Sequence, residues 1–161
     1  MLLGDILREG LVKLELDAED RSGAIRELVD VLVQEHEISF AMRDHIIEVV
    51  HEREHSLGTG IEHGIAVPHG PSERVDAIIG AMGLSRKGVN FESLDGQPTR
   101  IVLLLILPRR GYSGRVTELA GVAHLLDNRE LRKAILGAKE PAGVVEAIRA
   151  HEKKSRYSSG K

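Results

Sequence analysis

The chain has no cysteine, which excludes disulfides, thiol nucleophiles and Cys-rich zinc sites. It has no tryptophan and only four other aromatics, Phe40, Phe91, Tyr112 and Tyr157, so it offers no stacking platform for bases or sugar rings. Its longest unbroken apolar run is Ile101–Leu107, closed by Pro108, far short of the roughly 20 residues a membrane helix needs. The N-terminus meets Asp5 at once and carries no basic flank or small-residue cleavage pattern. The expectation is a cytoplasmic protein with no signal peptide and no membrane insertion. Neither charge is in strong excess: 22 Lys and Arg face 25 Asp and Glu, a net charge of −3. That balance argues against a nucleic-acid partner.

What is present is an ordinary globular composition. The 161 residues suffice for one core, and the 42% apolar fraction is enough to fill it. One domain is expected over residues 1–150, with 151–161 as a solvated C-terminal tail. Val12, Leu14 and Leu16 alternate with Lys13 and Glu15, the two-residue period of a half-buried strand. Asp20 or Ser22 then caps a helix with Ala24, Ile25, Leu28, Val31 and Leu32 on one face. Ser39 caps a second helix, with Phe40, Ile46, Ile47, Val49 and Val50 as its apolar positions, reaching about Glu54.

The stretch Leu57–Gly64 is too irregular for a regular element. Ile65-Ala66-Val67 reads as a short strand stopped by Pro68, and residues 77–84 as a strand softened by Gly80 and Gly83. Ile101–Leu107 is so uniformly apolar that a central strand covered on both faces is expected. Helices follow at about 113–126, 129–137 (capped by Asp127 or Asn128) and 142–152. Strands and helices interleave, so the class is α/β, a mixed sheet flanked by helices on both faces.

The chemistry rests on eight histidines. His51-Glu52-Arg53-Glu54-His55 satisfies H-E-x-x-H, the two-ligand helix motif of zinc hydrolases. The longer pattern fails where a third ligand belongs, because residue 61 is Ile61; a solvated, charged helix face accounts for the rest. Gly58-Thr59-Gly60 through Gly64 is glycine-rich, but it follows a helix and leads into a strand, the reverse of a dinucleotide fingerprint. Its N–H groups remain able to face an anion. His69 follows Pro68, which stiffens the chain, and precedes Gly70, which leaves space beside the ring. A neutral imidazole so mounted is able to attack phosphorus, and Arg53 is the nearest cation to hold the charge.

Residues 52–70, EREHSLGTGIEHGIAVPHG, resemble the signature of the fructose/mannitol/nitrogen-type enzyme IIA domains of the bacterial phosphotransferase system. Arg53-Glu54, Thr59-Gly60-Ile61, Gly64-Ile65-Ala66 and Pro68-His69-Gly70 all stand in place, and the order of elements agrees over about residues 2–150. The resemblance implies a mixed, roughly five-stranded sheet flanked by helices. It implies that His69 accepts a phosphoryl group from the histidine of a phosphocarrier protein (HPr or its nitrogen-branch counterpart). It assigns Arg53 to the phosphate and makes Thr59, Gly60, Gly64 and Gly70 its loop. Enzyme IIB, or a regulated transporter or kinase, follows as downstream partner; no cofactor and no metal are called for.

Two positions depart from the pattern. Alignment on Leu119-Ala120 and Leu125-Leu126 puts Arg115 where the family usually has a second histidine, and Glu62 replaces a glycine. An arginine holds phosphate bidentately but shuttles no proton, so a nitrogen-type regulator is favoured over sugar uptake. The alternatives are a protein-binding module that no longer takes phosphate and, third, a zinc hydrolase built on His51, Glu52 and His55.

Overall fold

The computed structural model describes residues 2–57, 60–61 and 63–159, without the side chains of 55–61, 116 and 157–159. In chain order the elements are α1 (Leu3–Ile6), a 3₁₀ turn at Glu9–Leu11, β1 (Val12–Lys13), α2 (Arg21–Gln34), a second 3₁₀ turn at Phe40–Met42, α3 (Arg43–Leu57), β2 (Gly60–Ile61), β3 (Ile65–Ala66), β4 (His69–Ser72), β5 (Ile79–Val89), β6 (Thr99–Pro108), α4 (Tyr112–Leu126), α5 (Arg129–Gly137) and α6 (Pro141–Ser159).

The sheet is mixed and runs β1-β5-β6-β3-β2, with β4 also on β6. β5 and β6 are antiparallel, whereas β3 and β4 lie parallel to β6, one after the other along its edge. Strand β6 is the hub, and its apolar run explains why. Val102, Leu103, Leu104, Leu105 and Leu107 are all fully buried. Consecutive residues of a strand point to opposite faces, so both faces of β6 are covered. This confirms the α/β class and the central strand expected from the sequence.

The helices follow their patterns closely. Asp20 caps α2 by accepting the Gly23 N–H at 2.8 Å, and Ala24, Ile25, Leu28, Val31 and Leu32 are buried. Asn128 caps α5 in the same way, accepting the Leu131 N–H at 2.9 Å. Leu131 and Ile135, one turn apart, anchor that helix to the core.

Three expectations need correction. Phe40 lies in the 3₁₀ turn before α3 and is 77% exposed; the turn points it away from the face that buries Ile46, Ile47 and Val50. Ser39 makes no side-chain cap there. The C-terminal tail is helical through Ser159, and although residues 153–156 are exposed, Glu152 is buried. The physical reason is a clamp on the N-terminal segment: the Glu152 carboxylate accepts the N–H groups of Leu3 and Gly4, each at 2.8 Å, while Arg149 donates to the carbonyls of Gly4 and Leu7.

Those two N–H groups open α1 and have no partner within the helix. Glu152→Ala leaves both without the carboxylate, and the expected cost is about 1–3 kcal/mol of folding free energy. Chemical denaturation of wild type and variant measures it; an unchanged midpoint would show that water replaces the carboxylate at no cost.

Candidate functional site

Two parallel segments of the same edge of β6 build the site. β3 pairs Ile65 and Ala66 with Ile101 and Val102; the chain then passes Val67 and Pro68, and β4 takes over with His69 opposite Leu105. Pro68 cannot donate to the ladder, but its carbonyl accepts the Leu105 N–H at 3.0 Å. His69 therefore opens a strand, where the sequence suggested that regular structure stopped at Pro68. β4 was hidden by its composition, since His-Gly-Pro-Ser carries none of the residues that mark a strand.

The imidazole of His69 is half-buried, and its Nδ1 lies 2.9 Å from the carbonyl oxygen of Val67. A carbonyl only accepts, so Nδ1 carries the proton and Nε2 keeps its lone pair. Burial lowers the His69 pKa below the ordinary histidine value. The nearby Arg53 charge pushes it the same way, against the opposing bond to Val67. The ring is thus held neutral with its free nitrogen of fixed identity.

Arg53 comes from the C-terminal part of α3. Its Nε is buried and has no hydrogen-bond partner among the described residues. α3 lies close to β4 because of Gly70: a Cβ there would come within 2.8 Å of Val49 Cγ1. The space beside His69 that the sequence attributed to Gly70 is occupied by the helix, and this closeness brings Arg53 to the histidine.

Gly64 has φ +77°, and its carbonyl accepts both the Arg100 and Ile101 N–H groups, the start of β6. That turn requires glycine's conformational freedom. Gly60 pairs with Ala66 across β2 and β3, while Thr59 and Glu62 lie outside the described residues. His63, at φ +68°, donates its backbone N–H to Asp95 at 3.0 Å, and its Nε2 stands 3.4 Å from Asp127.

Arg115 is half-buried in the first turn of α4 and lines a cavity of about 680 Å³ with Ser72, Glu73, Asp76 and Arg109. His69 is not among the residues of its wall; Ser72 is three residues further along β4, about 10 Å of strand. His124 is exposed near the end of the same helix. In the H-E-x-x-H segment His51 is half-buried, Glu52 is exposed, and the side chain of His55 lies outside the described ones. No three His, Asp or Glu side chains among the described residues are gathered as a metal site. No helix among them is long and apolar enough to cross a membrane.

Comparison with known proteins shows the family and the fold. Residues 5–151 match the family model for the phosphoenolpyruvate-dependent sugar phosphotransferase system, EIIA 2. The fructose-specific EIIABC component of Bacillus subtilis is 30% identical over 153 residues, 95% of this chain; the chain spans only 24% of that protein's length. The nitrogen regulatory protein of Bradyrhizobium diazoefficiens is 24% identical over 148 residues, 92% of this chain and 95% of that protein. The crystal structure of the nitrogen regulatory protein IIA-Ntr from Neisseria meningitidis superimposes with a TM-score of 0.80 at 23% identity, over 91% of this chain and 98% of that one. The chain belongs to the EIIA 2 family of the phosphoenolpyruvate-dependent sugar phosphotransferase system.

Proposed function

We propose that the chain is a phosphohistidine carrier in which Nε2 of His69 accepts a phosphoryl group from the phosphohistidine of an HPr-like phosphocarrier. One observation carries the reading. The Nδ1–H is committed to the Val67 carbonyl, which leaves Nε2 as the nucleophile, beside a guanidinium whose buried Nε has no hydrogen-bond partner among the described residues. The Nε2 lone pair forms the new N–P bond as the P–N bond to the donor imidazole breaks, its electron pair returning to the donor ring. His69 loses no proton in this step, so no general base is required. Arg53 takes the charge of the arriving phosphoryl oxygens, a charge-assisted pairing. The family resemblance assigns the rest of the phosphate loop to Thr59, Gly60, Gly64 and Gly70, of which Thr59 lies outside the described residues.

Regulation is favoured over sugar uptake because Arg115 stands where the family usually has a second histidine, although Arg115 lines the cavity beside Ser72 rather than the wall of the His69 site. An arginine at that position exchanges no proton with a phosphoryl group. Such a site keeps its phosphoryl group long enough for its occupancy to be read by a transporter or kinase. In uptake, an enzyme IIB would be the next acceptor.

Intact mass after incubation with phosphoenolpyruvate, enzyme I and phosphocarrier tests the reading, and one acid-labile phosphoryl group is the expected result. No uptake would leave a module that binds partners by shape alone. Rapid emptying onto an enzyme IIB would overturn the regulatory preference. The pH profile is a second part of this test. Because the lowered pKa keeps the ring neutral, acceptance should stay level as pH falls through the ordinary histidine value of about 6.5 and decline only below it. Stability has the same sign. The unfolded chain binds the extra proton first, so stability present above about pH 6.5 is lost as pH falls toward the lowered folded-state value.

A further inference from the structure

Glu54 is 4% exposed, and the chemistry proposed for His69 makes no use of it. A carboxylate taken out of water requires a counter-charge to replace its hydration. One counter-charge is Arg21, whose Nη1 stands 3.4 Å from Glu54 Oε2. Arg21 is the first residue of α2 and Glu54 lies near the end of α3, so the pair ties the beginning of one helix to the end of the next.

Arg53 directly precedes Glu54. Neighbouring residues on a helix leave it about 100° apart, so anchoring the Glu54 carboxylate against α2 fixes the rotation of that turn. With the rotation fixed, so is the direction in which Arg53 leaves the helix. A guanidinium whose buried Nε has no hydrogen-bond partner among the described residues gains hydration by swinging outward, and an anchored turn opposes that. The tie extends further. The second Arg21 nitrogen reaches Glu92 at 3.5 Å, and Asp95 of the same loop accepts the His63 N–H. The loop after β5 thus touches both the segment before β3, through Asp95, and the Arg21–Glu54 pair at the end of α3, through Glu92.

We propose that Glu54, through its ion pair with Arg21, is a positioning residue that keeps the Arg53 guanidinium facing His69. Its bearing on phosphoryl transfer rests on the reading of His69 as acceptor, but its structural content does not. The test is an NMR titration of the His69 imidazole in the full chain, for wild type, Glu54→Gln, Glu54→Asp and each change combined with Arg53→Met.

Two effects of opposite sign make the titration decisive. Removing a nearby negative charge by itself lowers the His69 pKa. Losing the position of Arg53 raises it, because Arg53 is one of the groups holding it down. The expected result is a rise in Glu54→Gln, a smaller rise in Glu54→Asp, and no rise when Arg53 is already methionine. A fall or no change in Glu54→Gln overturns the proposal, as does a rise that persists in the Arg53→Met background. If Glu54→Gln does not fold, Glu54→Asp carries the same signs.

Phosphorylation by phosphoramidate, which needs no protein donor, supplies the functional arm. Glu54→Gln should be about ten- to a hundredfold slower than wild type, the scale of a small misplacement of a charge at the reacting group, with no further loss in Arg53→Met. Wild type that takes no phosphoryl group would end the reading of His69 and leave the titration to decide the role of Glu54.

Discussion

His69→Ala should take up no phosphoryl group under conditions that load the wild type fully, and replacing any other of the eight histidines should leave loading intact. The argument is geometric. A phosphoryl acceptor needs a neutral nitrogen of known tautomer, a cation placed for the incoming oxygens, and shielding from bulk water. His69 has its proton committed to Val67 and Arg53 beside it. His36, His45, His63 and His124 are exposed. Nε2 of His63 faces the Asp127 carboxylate at 3.4 Å, a neighbour that repels a phosphoryl group. Intact mass of the eight single alanine variants checks this, and a phosphoryl group on His69→Ala would move the site elsewhere.

Arg53→Met should slow acceptance by about 10²- to 10³-fold, the usual result of removing one preorganised charge from a reacting centre. The loss should appear in the rate at saturating donor as well as at low donor concentration, because the guanidinium acts on the transferring group. Arg53→Lys should recover only part of the rate, since an ammonium is a point charge without the planar fork. The same substitution lifts one of the causes that lower the His69 pKa. The low-pH limb of the rate profile should therefore move to higher pH in Arg53→Met. Saturation kinetics over a range of pH measure both effects; equal rates for methionine and arginine would remove Arg53 from the chemistry.

The sequence shows some of this plainly and conceals the rest, for reasons that particular residues make clear. β6 is legible because seven apolar residues in a row have few other places to go, and the caps Asp20 and Asn128 are legible because their side-chain oxygens suit the first turn of a helix. His69 and Arg53 stand out through their fixed spacing. β5 is longer than its apolar stretch, because a register shift between Leu84 and Val89 carries it past the polar Ser85, Arg86 and Lys87, with Gly88 at φ +89°. The closeness of Leu16 to β5 is equally hidden: Gly83 permits it, since a Cβ there would meet Leu16 Cδ2 at 2.6 Å, and glycine in a strand carries no such label. Glu54 and Glu152 are the deepest omissions. Glutamate is usually exposed, and only the fold shows that one anchors the end of α3 while the other clamps the beginning of the chain.

The pairing of His69 with Leu105 has a consequence for the order of events during synthesis. β4 pairs only with β6 among the described strands, so it has no lasting neighbour until the ribosome has released Leu105, whereas β3 already has β2. At about 5–20 residues per second, His69 spends some seconds on a nascent chain that has no ladder to receive it. The antiparallel pairing of β5 with β6 spans a short connection, so the histidine strand completes its ladder only once β6 is there to receive it. A ribosome paused within β6 would leave the His69 strand without the neighbour it pairs with in the finished sheet.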